Sequence, residues 1–369
     1  MNAYLLLANG MVFAGKSLGC PGTTLGEVIF STGVVGFQEG LTDPASYGAL
    51  IAQTYPMVGN YGMNDEDMES DKVWAQGIIV REACDKPSNF RCQYTFPDFL
   101  KAHGTVGICG IDTRHLTRIL REEGSMPGAI TTEFDPRDAA NADKRAALLA
   151  QIEGFSAAEG VMTVTCKEPK VYNAEEGHTH VVVLDYGTKR NTIRCLTGRG
   201  CKVTVVPADT TAEAVAALNP DGILLSAGPG DASDIPEIVA NAKTILDLGK
   251  PCFGIGLGHL VAAAAAGVPT YKMKHGHHGA NQPVTDLTRG RTYITAQGHS
   301  YAVDSEKLPA EIGTVAQINA NDGSCAGIQY KCWNCFTVQF NPEANGGPKE
   351  TEFLFDRFLD NVNNAKEAQ

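Results

Sequence analysis

Apolar residues recur along this chain with two different periods, and the change of period divides it. Near the start, the runs Tyr4 to Leu7, Met11 to Phe13, Glu27 to Phe30 and Ala49 to Gln53 are short and separated by glycine-containing turns, which predicts strands. Gly77 to Arg81 predicts another strand. Helices are predicted at Phe96 to His103, Arg114 to Glu123 and Asp138 to Ile152, the second opened by Asp112 or Thr113 and closed by Gly124. This half shows no regular strand–helix alternation. The pattern weakens from Glu153 to Gly177, where Gly154, Gly160, Pro169 and Glu175-Glu176-Gly177 suit a linker.

From His180 the rhythm changes. Strands are predicted at Val181 to Leu184, Lys202 to Val206, Gly222 to Leu225 and Pro251 to Ile255. Helices are predicted between and after them, at Lys189 to Thr197, Ala212 to Leu218, Pro236 to Leu248 and Leu260 to Ala266. That alternation predicts a doubly wound, mostly parallel sheet, with ligands at the carboxyl ends of its strands. Shorter strands, Thr292 to Ala296, Gly327 to Tyr330 and Phe336 to Gln339, and a closing helix, Leu354 to Val362, complete an α/β chain. The expected division is 1–152, a linker over 153–178, and 179–369.

One stretch carries the candidate chemistry. Cys252 to Ile255 is an apolar run that ends in Gly256-Leu257-Gly258, and a helix follows at once. A buried strand, a tight turn and a helix N-terminus form a nucleophile elbow, whose apex ordinarily carries Cys or Ser. Here the apex is Gly256. The chain is shaped to present a nucleophile and has none.

Composition narrows the alternatives. With 43% hydrophobic and 20% charged residues, the chain can bury sizeable cores. A formal net charge of -12 argues against nucleic acid or an anionic membrane as partner. No run approaches the roughly 18 apolar residues of a spanning helix. The start has no basic region or cleavage site of a signal peptide. Eleven scattered cysteines fit reduced thiols better than a disulfide framework, so the expected location is cytoplasmic. Cys332-Trp333-Asn334-Cys335 has no second pair at zinc spacing, so strand cysteines are the better reading and no metal site is expected. Asp185-Tyr186-Gly187 before Lys189-Arg190-Asn191 lacks the spacing of a phosphate loop.

These residues resemble one family nearly end to end. Residues 180–345 are similar to class I (triad-type) glutamine amidotransferases. Leu41-Thr42-Asp43-Pro44, Tyr55-Pro56-Met57-Val58-Gly59-Asn60, Gly110-Ile111-Asp112-Thr113-Arg114 and Gly276-His277-His278-Gly279-Ala280-Asn281 resemble the small subunit of carbamoyl-phosphate synthetase. That resemblance implies an N-terminal small-subunit domain and an amidotransferase domain. It implies a large-subunit partner that carries the ATP and metal sites, so this chain is expected to hold no cofactor. It also implies a place in the supply of carbamoyl phosphate for pyrimidine and arginine synthesis. In the family, a cysteine thiolate attacks glutamine, a histidine moves protons, a carboxylate orients the histidine, and backbone N–H groups stabilise the oxyanion.

Taken position by position, the resemblance exposes losses. Gly256 stands at the nucleophile position and Asn341 at the base position, whereas the carboxylate Glu343 is kept. Among glutamine-site positions, Gly228, Gly230 and Leu257 match, and Tyr301 is a near match. Ala45, Leu260, Gly298 and Ser300 depart from the family's Ser, Gln, Asn and Gly. Cys252 is read as a packed core thiol, and His259, His277, His278 and His299 as structural or domain-interface residues. The first expectation is a small subunit, or a paralogue, that has lost its own glutaminase and acts as a structural or regulatory partner of an ammonia-using large subunit. L-glutamine is a partner only if the pocket still binds it. The alternatives are a stand-alone small-molecule-binding pseudoenzyme, a glutamine-hydrolysing subunit as the family name would have it, and a decaying duplicate.

Overall fold

The computed structural model describes residues 1–175, 177–344 and 346–367; Glu176 of the expected linker lies outside these. Its contacts divide the chain into two units, Met1–Ala157 with Lys274–Gly279, and Ala158–Met273 with Ala280–Gln369.

The first unit is built on strands β1 (Asn2–Leu7), β2 (Val12–Gly19), β3 (Thr23–Ser31), β4 (Ala49–Gln53), β5 (Met57–Val58), β6 (Gly77–Ile79), β7 (Glu82–Ala83), β8 (Val106–Cys109) and β9 (Met126–Thr131). All but β5 and β7 close into a barrel in the order β1-β2-β8-β6-β4-β3-β9. The closing pair is antiparallel, with Tyr4 opposite Thr131. In β1 the side chains alternate. Leu5 and Leu7 join one apolar cluster with Val28 and Leu50, and Leu6 joins another with Leu148 and Ile152.

Helices α1 (Phe37–Thr42), α2 (Phe96–Ala102), α3 (Thr113–Glu123) and α4 (Ala142–Glu153) belong to this unit. Asp112 caps α3 by accepting from His115 N–H at 3.0 Å. Leu116, Ile119 and Leu120 of α3 are buried, and the arginines lie on its other side. α1 was not legible in the sequence, because Gly36 precedes it and Gly40 interrupts its weak Phe37–Leu41 repeat. It is held by tertiary contact: Gln38 and Asn64 exchange hydrogen bonds, Gln38 donating to the Asn64 carbonyl and Asn64 N–H donating to Gln38 Oε1 at 3.0 Å.

The second unit starts with α5 (Gly160–Val164) and β10 (Lys170–Tyr172), both inside the stretch expected as linker. Then follow β11 (Thr179–Asp185), α6 (Arg190–Thr197), β12 (Cys201–Pro207), α7 (Ala212–Ala217), β13 (Gly222–Leu225), α8 (Pro236–Leu246), β14 (Cys252–Ile255) and α9 (Leu257–Ala265). β15 (Thr270–Asp286), β16 (Arg291–Val303), β17 (Gly313–Asn319), β18 (Cys325–Tyr330), β19 (Cys335–Val338) and α10 (Phe353–Glu367) complete it. The sheet order is β10-β12-β11-β13-β14-β19-β18-β17-β15-β16. β12, β11, β13, β14 and β19 are mutually parallel.

Both faces of that parallel centre are covered, as the unbroken apolar runs require. Val182 and Leu184 face a cluster with Val215, Ile238 and Val261 of α7, α8 and α9. Val181 and Val183 face Ile193, Phe355 and Phe358 of α6 and α10. The doubly wound α/β class is therefore the observed one. The expected short strand Thr292 to Ala296 lies inside the longer β16, and β15 was not expected; Gly276 and Gly279, at φ 66° and 128°, fall within β15.

Candidate functional site

The site forms where β13, β14 and β19 end. β14 stops at Ile255, and Gly256 turns the chain into α9 at φ 57°, ψ −111°, a conformation costly for any residue with a Cβ. Gly256 N–H donates to Val338 O at 2.9 Å, which ties the turn to the end of β19. Gly258 N–H donates to Ser226 O at 3.0 Å, which ties it to the loop after β13. A Cβ placed on Gly256 would lie 3.2 Å from Ala227 Cβ and 4.0 Å from Gln339 O. The apex thus has room for a side chain once Ala227 yields by a few tenths of an ångström.

The loop after β13 packs against this apex. Gly228 is fixed by close approach: a Cβ there would sit 2.2 Å from Tyr186 O and 3.0 Å from Leu257 Cδ2. Gly230 adopts φ +81°. Beyond it, Asp231 Oδ2 accepts from Ser233 N–H at 3.2 Å and from Thr270 Oγ1 at 2.8 Å, anchoring the loop to β15. Leu257 is buried at the head of α9, where N–H groups lack carbonyl partners four residues back.

β19 delivers the next group. Asn341 N–H donates to Ala296 O of β16 at 2.9 Å. Asn341 therefore lies beside the strand that carries Gly298, Ser300 and Tyr301. A Cβ on Gly298 would meet nothing within 4 Å, so that position opens to space. Tyr301 packs on the apolar cluster under α9, and Leu260 is only 2% exposed within the same cluster. Leu260 is thus a core residue. Ala45 lies in the first unit, in a turn where its N–H donates to Asp43 Oδ1 at 2.9 Å.

Glu343 is fully buried, and its partner is a cation. Lys189 Nζ lies 2.5 Å from Glu343 Oε1, with side chains 4% and 0% exposed. Asn191 Nδ2 donates to the Glu343 carbonyl at 2.6 Å. Sequence reasoning named Lys189 only in weighing a phosphate loop and missed its pairing with Glu343, because the pair joins residues far apart in the chain. The adjacent turn binds its own carboxylate: Asp185 Oδ1 accepts from Gly187 and Thr188 N–H at 3.1 and 2.7 Å.

The other thiol and imidazole near the elbow are core groups. Cys252 is buried and stands opposite Cys335 on β19. Burial, then the Cys252 neighbour, raises the Cys335 thiol pKa, which keeps it protonated. His259 is fully buried, its Nδ1 is 2.7 Å from Thr337 Oγ1, and burial pushes its pKa down to about 3. It is a neutral packing residue. Among the described residues no cluster of His, Cys, Asp and Glu is arranged to hold a metal ion, and no helix is long and apolar enough to cross a membrane.

Comparison with known proteins identifies the family. Residues 5–130 match the family model "Carbamoyl-phosphate synthase small chain, CPSase domain", and residues 182–361 match "Glutamine amidotransferase class-I". A carbamoyl phosphate synthase small chain from Polynucleobacter asymbioticus is 42% identical over 384 residues, covering 99% of this chain and 96% of that one. One from a Nostoc species is 43% identical over 382 residues, covering 100% and 97%. Among solved structures, a glutamine amidotransferase from Thermotoga maritima aligns with TM-score 0.37 at 17% identity, covering 51% of this chain and 86% of that one. Similarity of this extent, over both units, makes the chain a member of the carbamoyl phosphate synthase small chain family.

Proposed function

We propose that this chain is a carbamoyl phosphate synthase small chain that does not hydrolyse glutamine, and that it serves as a structural or regulatory partner of a large chain supplied with free ammonia. The observation that carries the reading is the elbow apex. Gly256 has the turn, the neighbours and the facing loop of a nucleophile position, but only a hydrogen where sulfur would attack. Asn341 supplies an amide at the base position, and an amide cannot accept a thiol proton near neutral pH. Losing the nucleophile of a triad lowers the rate by about 10⁶, and further triad losses add little. What remains is backbone donation from an oxyanion hole.

The eroded positions point the same way. Gly298 leaves open space and Leu260 is packed into the core, so neither offers a polar group to a glutamine side chain. The retained backbone, loop and buried Glu343 suit a scaffold kept for its shape. Family membership supports the partner class and the place in carbamoyl phosphate supply. No observation favours a stand-alone ligand-binding module over this reading.

The test is co-purification with the large chain, followed by carbamoyl phosphate assays on glutamine and on ammonium. Synthesis from ammonium alone supports the proposal. Synthesis from glutamine at a comparable rate refutes it.

A further inference from the structure

The first unit contains a basic cavity that the glutamine chemistry does not use. It measures about 770 Å³, within the usual range for small-ligand sites. Three adjacent parallel strands, β4, β6 and β8, end beside it. Thr54 follows β4, Arg81 follows β6, and the segment after β8 leads into α3. Each strand end therefore delivers a polar residue to one place, the arrangement in which parallel sheets bind ligands.

The lining is strongly cationic. Arg114, Arg118 and Arg121 recur at spacings of four and three on α3, opposite its buried Leu116, Ile119 and Leu120. With Arg81 they place four guanidinium groups on the cavity, against one carboxylate, Glu122. The chain as a whole carries a formal net charge of -12, so this is a local inversion of sign. Among the described residues none of the four arginines forms an ion pair, although 42 acidic residues are available. Like charges at such spacings repel on a helix, so the stripe costs the isolated chain stability. A bound polyanion would relieve that repulsion.

The lining also selects the class of occupant. Protein interfaces rest on apolar and aromatic centres, whereas the only apolar residue lining this cavity among those described is Pro56. Guanidinium forks match tetrahedral oxyanions bidentately, and Thr117 and His275 supply further polar groups at the wall. We propose that the carboxyl ends of β4, β6 and β8, closed by the arginine face of α3, form a binding site for a small ligand dense in phosphate groups. The site is independent of Gly256 and Asn341, so it stands whether or not the chain cleaves glutamine.

The experiment is calorimetric titration of the full chain at fixed ionic strength with inorganic pyrophosphate, orthophosphate and citrate. Saturable binding of one pyrophosphate is expected, at least about tenfold tighter than orthophosphate because more guanidinium groups engage it. Arg118→Gln is expected to weaken it by about tenfold, and Arg114→Gln with Arg118→Gln by more. Both positions are exposed, and circular dichroism of each variant checks that folding is kept. Absence of saturable binding, equal binding by folded variants, or binding of citrate without pyrophosphate would each overturn the assignment.

Discussion

Lys189 Nζ lies 2.5 Å from Glu343 Oε1, with both side chains almost wholly removed from solvent. In the reading proposed above, Glu343 stands at a triad carboxylate position, where such a group would orient an imidazole. Here Asn341 offers none, and the lysine is the charge that balances Glu343. Removing one partner of a buried ion pair costs about 3–5 kcal/mol, because the other charge stays buried and uncompensated. Lys189→Met is therefore expected to destabilise the chain by that order. Lys189→Met with Glu343→Gln should cost clearly less than Lys189→Met alone. Urea unfolding of the three proteins measures this, and a double variant as unstable as the single one would show that the pair is not what matters.

The elbow makes a second expectation. At Gly256 a Cβ meets Ala227 Cβ at 3.2 Å, and the backbone is at φ 57°, so Gly256→Cys should fold with a cost of about 1–3 kcal/mol. With Asn341 still in place, the new thiol should react with a glutamine-mimicking electrophile slowly and release little ammonia. Gly256→Cys combined with Asn341→His should recover part of the hydrolysis. Mass spectrometry of the adduct and an ammonia assay read both steps. Full turnover from Gly256→Cys alone would contradict the role assigned to Asn341.

The two halves of the chain differed in how far their sequences revealed them. The doubly wound sheet was legible because β11 to β14 are buried on both faces, so their apolar runs are continuous and separated by helical periods. The elbow was legible because glycines mark the turn between a buried strand and a helix. The barrel was not, since its closure depends on pairing Tyr4 with Thr131, a contact no local pattern encodes. Nor was the Lys189–Glu343 pair, which joins residues on separate elements.

Glu39 contributes one pH dependence of stability. It lies on α1, its Oε2 has no hydrogen-bond partner, and its pKa is raised to about 7, first by burial and then by Asp67 and Glu69. Below the ordinary carboxylate range Glu39 is protonated in both states and costs nothing. As pH rises from about 4.5 to about 7, the unfolded chain ionises first, and stability falls. Above about 7 the penalty is complete, at most about 3 kcal/mol. Glu39→Gln should therefore gain stability over the native chain as pH rises through that window, and the gain should be constant above it. Denaturant midpoints at several pH values test this; a pH-independent difference would contradict it.

The most direct test compares nitrogen sources. Purified with its large chain, this protein should support carbamoyl phosphate synthesis from ammonium, with the rate from glutamine lower by about 10⁶ relative to an intact triad, which leaves it at background. Glutamine-dependent synthesis at a rate comparable to the ammonium-dependent one would contradict the account.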